Sequence, residues 1–191
     1  SLHDALPISQ VSGQVLTDYL LVDADEARRL LPVRNSDGHK GTFGHLLVVA
    51  GSTGKCGAAV MAAESGLRAG AGLVTLACPQ SVQPGIASRL TEVMTAPLSD
   101  FRGEANLNAL GHLLSLTEGK QALAVGPGLG LGKETGDLVR HLIEDSELPI
   151  VVDADALAAL CGHLNIIEGQ LDRQMVLTPH PGEMARLTGL S

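Results

Sequence analysis

Short runs of aliphatic residues recur along the chain and alternate with amphipathic segments. These runs, most of which lack the alternation of a half-exposed strand, lie at residues 46–50, 73–77, 92–96, 123–125, 149–153 and 175–178. Unbroken runs of this length are typical of strands that are covered on both faces. The intervening patterns predict helices at residues 23–31, 58–69, 81–90, 104–116, 134–143, 155–161 and 182–187. Such alternation predicts an α/β fold with a mostly parallel central sheet.

Four of the predicted strands are followed by loops of unusual composition. They are residues 51–57 (GSTGKCG), 126–130 (GPGLG), 153–155 (DAD) and 178–183 (TPHPGE). The carboxyl ends of parallel strands meet at one edge of a sheet, and ligands bind at that edge. We therefore expect the four loops to surround a ligand site.

The loop at residues 51–57 resembles a phosphate-binding loop but is not a Walker A motif. Gly54 and Lys55 are followed by Cys56, so the hydroxyl group that would bind magnesium is missing. The predicted helix then opens with small residues, Ala58 among them, which permit close approach of a ligand or of another backbone. We interpret the loop as contacting a ligand, with a tight strand-to-helix turn as the alternative.

The second glycine-rich loop does not match the dinucleotide-binding fingerprint. Gly126, Gly128 and Gly130 have the wrong spacing, and Pro127 removes one backbone donor. The pattern is weak evidence for a Rossmann cofactor site. It is better evidence for a wall of backbone that a ligand approaches closely.

Two aspartates follow the next strand. Asp155 begins a predicted helix, so its simplest role is that of an N-cap. Asp153 ends the strand and is expected to point toward the site. There it orients a ligand hydroxyl or a cation, or it orders the adjacent loop.

The last loop holds one histidine between two prolines. Pro179 and Pro181 stiffen the backbone and fix His180 beyond a strand end. A histidine in this position can exchange protons near neutral pH. We predict that His180 acts in the site, with capping of the local backbone as the alternative. Glu183 is expected in the first helical turn, where its negative charge interacts favourably with the helix dipole.

Composition excludes several classes of function. The formal net charge is −8 and no lysine or arginine cluster is present, which argues against nucleic acid or anionic membranes as partners. The three cysteines are far apart and lack metal-ligand spacing, so we expect free thiols in the cytoplasm and no metal site. No apolar run approaches the roughly 20 residues of a membrane span.

Six segments resemble, in chain order, the NAD(P)H-hydrate dehydratases, which are related to ribokinase-like kinases. The segments are HKGTFGHLLVVAGS, GAAVMAA, LRAGAGLVTLA, AVGPGLG, PIVVDADAL and VLTPHPGEMARLTG. The resemblance implies a ribokinase-like three-layer α/β/α domain over residues 31–191. Residues 1–30 are then expected to be a leader or a linker.

The resemblance also implies an activity, namely ADP-dependent dehydration of (S)-NAD(P)H hydrate to NAD(P)H with release of AMP and phosphate. ADP or ATP is the implied co-substrate, with Mg²⁺. Substrate contacts carry over to Ala58, Gly128 and His180, with Asp153 and Lys40 as neighbours. The implied partners are the hydrated dinucleotide, a fused or separate NAD(P)H-hydrate epimerase, and further copies of the chain in a homo-oligomer.

One departure from the family pattern concerns the end of the chain. Family members carry a later Gly-Thr-Gly-Asp segment that supplies an anion hole and the catalytic acidic residue, and the chain stops at Ser191 without it. We therefore expect an incomplete fold, a catalytic residue that lies beyond Ser191, and an inactive isolated chain. A ribokinase-like kinase for a vitamin precursor and a non-catalytic nucleotide-binding fragment are the alternatives.

Overall fold

A computed structural model of the chain describes residues 23–31, 34, 37–168, 170 and 173–190. The chain divides into two units, residues 1–37 and 38–191. In the first unit, helix α1 (Ala24–Leu30) lies where the sequence predicts a helix. Its first turn is ordered by Asp23, whose carboxylate accepts the backbone N–H of Asp25 at 2.9 Å.

The second unit contains eight strands among its described residues. They are β1 (His45–Val49), β2 (Leu73–Pro79), β3 (Met94–Leu98), β4 (Asp100–Phe101), β5 (Glu104–Ala105), β6 (Ala122–Val125), β7 (Ile150–Val152) and β8 (Met175–Leu177). Six of them form one sheet in the order β3-β2-β1-β6-β7-β8, and every neighbouring pair is parallel. The predicted parallel sheet is confirmed.

Helices connect most of these strands. They are α2 (Cys56–Ala69), α3 (Gln83–Ala87), α4 (Leu110–Thr117), α5 (Lys133–Asp145), α6 (Asp155–Leu160), α7 (Asn165–Glu168) and α8 (Pro181–Thr188), together with a 3₁₀ turn at Leu107–Ala109. The pattern-based predictions agree with α2, α5, α6 and α8 to within two residues at each end. The sequence pattern does not predict the four-residue helix α7.

Alternation along β1 divides its side chains between two cores. Leu47 and Val49 are buried on one face with α4, α5 and α6, whereas Val48 and Ala50 are buried on the other face with α2 and α3. Successive side chains of a strand point to opposite faces, so each core needs its own layer of helices. The expected three-layer α/β/α architecture is thus confirmed.

The strand order reverses between β1 and β6. The chain runs outward from β1 through β2 to β3, then returns to the other side of β1 and runs outward again through β6, β7 and β8. At such a switch point the two crossovers diverge and leave a crevice beyond the carboxyl ends of the central strands. Val49 and Val125, which are register partners, mark this point.

The helix predicted at residues 104–116 is wrong in its first part. Glu104 and Ala105 pair instead with Phe101 and Asp100 in an antiparallel hairpin. The φ angles of Arg102 (55°) and Gly103 (80°) are both positive, as a two-residue type I′ turn requires. The turn therefore overrides the helical pattern, and α4 begins only at Leu110.

The cysteines agree with the expectation of free thiols. Cys78 is buried, while Cys56 and Cys161 are partly buried. Burial raises the pKa of the Cys78 thiol to about 11. None of the helices in the described part of the chain is long and apolar enough to cross a membrane.

Candidate functional site

Two glycine-rich loops form the backbone wall of the crevice at the switch point. The loop after β1 is held to the loop after β6 because the N–H of Gly51 donates to the carbonyl of Pro127 at 2.9 Å. The hydroxyl of Ser52, a buried residue, donates to the carbonyl of Gly128 at 2.8 Å. These bonds join the two loops into one backbone surface.

Ala58 and Gly128, two of the predicted substrate contacts, are neighbours on this surface. A Cβ atom at Gly128 would lie 3.2 Å from the Cβ of Ala58 and 2.9 Å from that of Lys55. The φ angle of Gly128 is +66°, which side-chain-bearing residues adopt only at a cost. Small residues are therefore required where the start of α2 meets the loop after β6.

Asp153 lies at the same edge of the sheet, one strand further along. Its carbonyl is so close to Gly126 that a side chain at Gly126 would overlap it. The Asp153 carboxylate accepts the hydroxyl of Thr178 at 2.8 Å. Of the roles considered for Asp153, ordering the adjacent loop is the one that the structure shows directly.

His180 caps helix α8. Its Nδ1 atom accepts the N–H of Gly182 at 3.1 Å, and its own N–H donates to the Glu183 carboxylate at 2.9 Å. These two bonds form a reciprocal capping box. The side chain is 63% exposed, so capping leaves Nε2 open toward solvent, 3.5 Å from Oε1 of Glu183. Capping and a role in the site are compatible.

Lys40 lies at the opposite end of the sheet from the other predicted residues. Its carbonyl packs against Gly72, the residue before β2, where any side chain would overlap it. Residues that precede parallel strands gather at the amino-terminal edge, and the crevice is at the carboxyl-terminal edge. Within one chain Lys40 is therefore remote from Ala58 and Gly128, and its expected place beside the substrate stays a prediction.

Asp155 is not the N-cap that its position suggests. Ala154 occupies that place, and no side chain caps the helix. The Asp155 carboxylate instead accepts the Lys55 ammonium at 2.8 Å and the N–H of Gly130 at 2.9 Å, both at Oδ2. One carboxylate oxygen thus connects the loops that follow β1, β6 and β7.

The hairpin β4–β5 is a part of the site that the sequence pattern did not reveal. Its Gly103 carbonyl accepts the N–H of Thr53 at 2.9 Å, which fixes the hairpin to the loop after β1. Glu104 accepts the N–H of Gly132 at 2.9 Å, immediately before helix α5. A carboxylate therefore already occupies the start of α5, where an anion would otherwise bind. The Arg102-Gly103 pair was the available signal for this turn.

A groove of about 320 Å³ adjoins the crevice between α5 and α6. Lys133, Arg140, Asp155 and Ala159 are among its lining residues. The Arg140 guanidinium pairs with Asp137 and donates to the Ala159 carbonyl at 2.8 Å. The groove thus has the size of a small ligand pocket, and the positive charge of Arg140 is already neutralised by Asp137.

The described residues contain no cluster of three or more histidine, cysteine, aspartate or glutamate side chains that could hold a metal ion. Mg²⁺ does not need such a cluster, because proteins commonly bind it through substrate phosphates and one or two carboxylates. A Mg²⁺ ion in this crevice would therefore be held chiefly by the phosphates of a nucleotide.

The comparison with protein families identifies the chain. The model of the NAD(P)H-hydrate dehydratase family matches residues 46–191. The chain belongs to the NAD(P)H-hydrate dehydratase family. All four crevice loops lie inside the matched segment, and Lys40 precedes it.

Curated relatives carry two kinds of name. A protein of Moorella thermoacetica named bifunctional NAD(P)H-hydrate repair enzyme Nnr is 46% identical over 170 residues, which cover 88% of this chain and 32% of that protein. A protein of Xanthomonas campestris named ADP-dependent (S)-NAD(P)H-hydrate dehydratase is 36% identical over 165 residues, or 85% of this chain and 54% of that protein. The chain spans about a third to a half of these relatives.

Solved structures agree with the family. The ADP/ATP-dependent NAD(P)H-hydrate dehydratase of Bacillus subtilis, co-crystallized with ATP/Mg²⁺, has a TM-score of 0.66 at 31% identity. The match covers 86% of this chain and 54% of that one. A ribokinase-like protein of Enterococcus faecalis has a TM-score of 0.71 at 21% identity, covering 92% of this chain and 61% of that one, and supports the fold alone.

Ala154 lies in a strained backbone conformation between the two site aspartates, with φ 50° and ψ −121°. Glycine has no Cβ atom and adopts this conformation without steric strain. Ala154→Gly should therefore raise the free energy of unfolding by about 1 kcal/mol. Thermal denaturation should show Tm rising by roughly 2–4 °C. Ala158→Gly, inside α6, is the control and should lower Tm. Equal losses in both variants would contradict the assignment of strain.

Gly128 offers a second test of the crevice. Gly128→Ala should lower stability and also abolish close approach of a ligand, because the new methyl group meets Lys55 and Ala58. Gly162→Ala is the matched control, since Gly162 has a similar φ of +78° and a Cβ atom there would meet nothing within 4 Å. Denaturation and NADPH titration should show the larger loss in Gly128→Ala for both quantities. Equal effects in the two variants would argue against the contact.

Proposed function

We propose that the chain forms the substrate-binding wall of an ADP-dependent (S)-NAD(P)H-hydrate dehydratase. The observation that carries this proposal is the crevice at the switch point, where Ala58 and Gly128 bring two glycine-rich loops into contact. The names of the relatives support ADP as the driving nucleotide and a hydrated nicotinamide dinucleotide as substrate. The ATP/Mg²⁺ in the B. subtilis crystals supports a magnesium–nucleotide complex as co-substrate.

The hydrated dinucleotide is placed along Ala58, Gly128 and His180, with Asp153 beside it. A wall of main chain and small residues lets the phosphate-linked ligand approach closely. Backbone N–H groups then orient the ligand. Asp153 acts through Thr178, with which it orders the loop that carries His180. Lys40 is left out of this placement because it lies at the far end of the sheet.

The chemistry follows from the poor leaving ability of water. Transfer of the terminal phosphoryl group of ADP to the substrate hydroxyl forms a new P–O bond and releases AMP. The C–O bond then breaks, phosphate leaves, and loss of a proton from the neighbouring ring carbon restores the double bond. The crevice contributes by holding the reacting groups in line and by excluding water.

His180 contributes a defined hydrogen-bond donor. Because its Nδ1 atom accepts the N–H of Gly182, the neutral ring carries its proton on Nε2. That atom lies 3.5 Å from Oε1 of Glu183 and faces solvent, so it can donate to an oxygen of the substrate. The prolines on either side and the capping box hold the ring in position before the substrate arrives.

The wider setting is also proposed. The relatives named bifunctional NAD(P)H-hydrate repair enzymes support a partnership with an epimerase that interconverts the hydrate epimers. The free thiols support a reducing compartment, the cytoplasm. A homo-oligomer is expected, with no nucleic acid or membrane as partner.

The direct test is turnover of hydrated NADPH with ADP and Mg²⁺, followed by recovery of reduced-nicotinamide absorbance and by release of AMP and phosphate. The assay should compare the 191-residue chain with the longest reading frame that contains it. Turnover by the longer protein is expected. Accumulation of a phosphorylated product without elimination would indicate a kinase, and binding without any turnover would indicate a nucleotide-binding module.

His180→Asn separates capping from the role in the site. Asparagine is a good N-cap, so Tm should change little, whereas kcat/KM should fall at least about ten-fold because the Nε2 donor is lost. His180→Ala is the comparison and should lower both Tm and kcat/KM. Unchanged kcat/KM in His180→Asn would restrict His180 to capping.

A further inference from the structure

A lysine–aspartate bridge joins the loop after β1 to the start of α6, next to the loop that follows β6. Lys55 comes from the loop after β1 and Asp155 from the start of α6, on the two sides of that loop in the strand order. The stem of Lys55 lies against Gly128, and its ammonium reaches Asp155 at 2.8 Å. A ligand that approaches the backbone of the loop must therefore meet this bridge.

The bridge holds the positive charge that an anionic ligand would need. In residues 51–55, 126–132, 153–154 and 178–180, all of which the structure describes, Lys55 is the one lysine or arginine; Lys133 follows at the first residue of α5, and Arg102 lies in the turn of the hairpin. The nearby carboxylates belong to Asp153, Asp155 and Glu183, and to Glu104, which accepts the N–H of Gly132. A dinucleotide carries at least two negative charges on its phosphates, so its binding here requires a cation to offset these carboxylates.

The bridge has little value as a structural support. The Lys55 side chain is 44% exposed and the Asp155 side chain 19%, so water and salt screen the ammonium end of the pair and limit its contribution to stability. The loops are already joined by backbone hydrogen bonds and by the bond from Gly130 to Asp155. When the ammonium leaves, the Asp155 carboxylate still accepts the N–H of Gly130.

We propose that Lys55 is the phosphate-contacting residue of the crevice and that Asp155 holds it in place and competes with the ligand for it. This inference rests on the proposed function, because it assigns the phosphates of the nicotinamide dinucleotide to the site described above. Lys55 then leaves Asp155 when the ligand binds. Asp155 continues to accept the hydrogen bond from the N–H of Gly130, so the backbone wall stays in place.

Opposite changes at the two ends of the bridge distinguish this proposal from a structural role. Lys55→Met should weaken binding of NADPH and of inorganic pyrophosphate about ten-fold and should leave adenosine binding unchanged. Lys55→Arg should restore most of the affinity. Asp155→Asn keeps an acceptor for Gly130 and removes the competing charge, so it should strengthen NADPH binding about three-fold. Calorimetric titration at low and high salt measures all three.

Lys120→Met is the matched control, because it removes the same charge at the amino-terminal edge of the sheet and should leave NADPH binding unchanged. Weaker binding in both Lys55→Met and Asp155→Asn would overturn the proposal and indicate a supporting bridge. Wild-type affinity in Lys55→Met, or a wild-type protein that binds neither NADPH nor pyrophosphate, would also overturn it.

The turnover assay on the longer protein, run beside these titrations, separates this inference from the proposed function. Hydrate turnover that is normal in both wild type and Lys55→Met would leave the function standing and the inference overturned. If the longest reading frame that contains this chain turns over no hydrate, yet binds NADPH through Lys55, the phosphate contact would stand and the dehydratase proposal would be refuted.

Discussion

The parallel pairing of β1 with β6 is the constraint on which the rest of the site depends. Because the crossovers that follow these two neighbouring strands run in opposite directions, they diverge, and the space beyond Val49 and Val125 stays open. Backbone hydrogen bonds then join the two loops, so that the wall of the crevice is main chain rather than side chain. Ala58 and Gly128 lie on this wall, and the carbonyl of Asp153 packs against Gly126 one strand further along.

Close packing of the loops explains where glycine occurs and which charges remain available. Gly126 and Gly128 meet neighbouring residues that leave no room for a side chain. Glu104 fills the space that Gly130 leaves free and occupies the start of α5, so anion binding is directed away from that helix. What remains exposed at the switch point is the loop after β1, with Lys55 held by Asp155.

The sequence was informative where structure is set by local pattern, and less so where it is set by distant contacts. Aliphatic runs and the loops after them predicted the parallel sheet and the edge at which the glycine-rich loops gather. The bridge between Lys55 and Asp155 joins residues 100 positions apart, so no local pattern contained it. Lys40 was expected near the substrate only through the family resemblance, and the fold puts it at the opposite end of β1 from Ala58 and Gly128.

The central claim is that a nicotinamide dinucleotide binds at the carboxyl-terminal edge of the sheet, over the joined loops. Amide hydrogen exchange with and without NADPH tests it most directly, because the loops report on ligand contact separately. The account predicts slower exchange in peptides covering residues 51–58 and 126–132, and no change in residues 39–45. Protection confined to residues 39–45 would contradict it and would move the site to the amino-terminal edge.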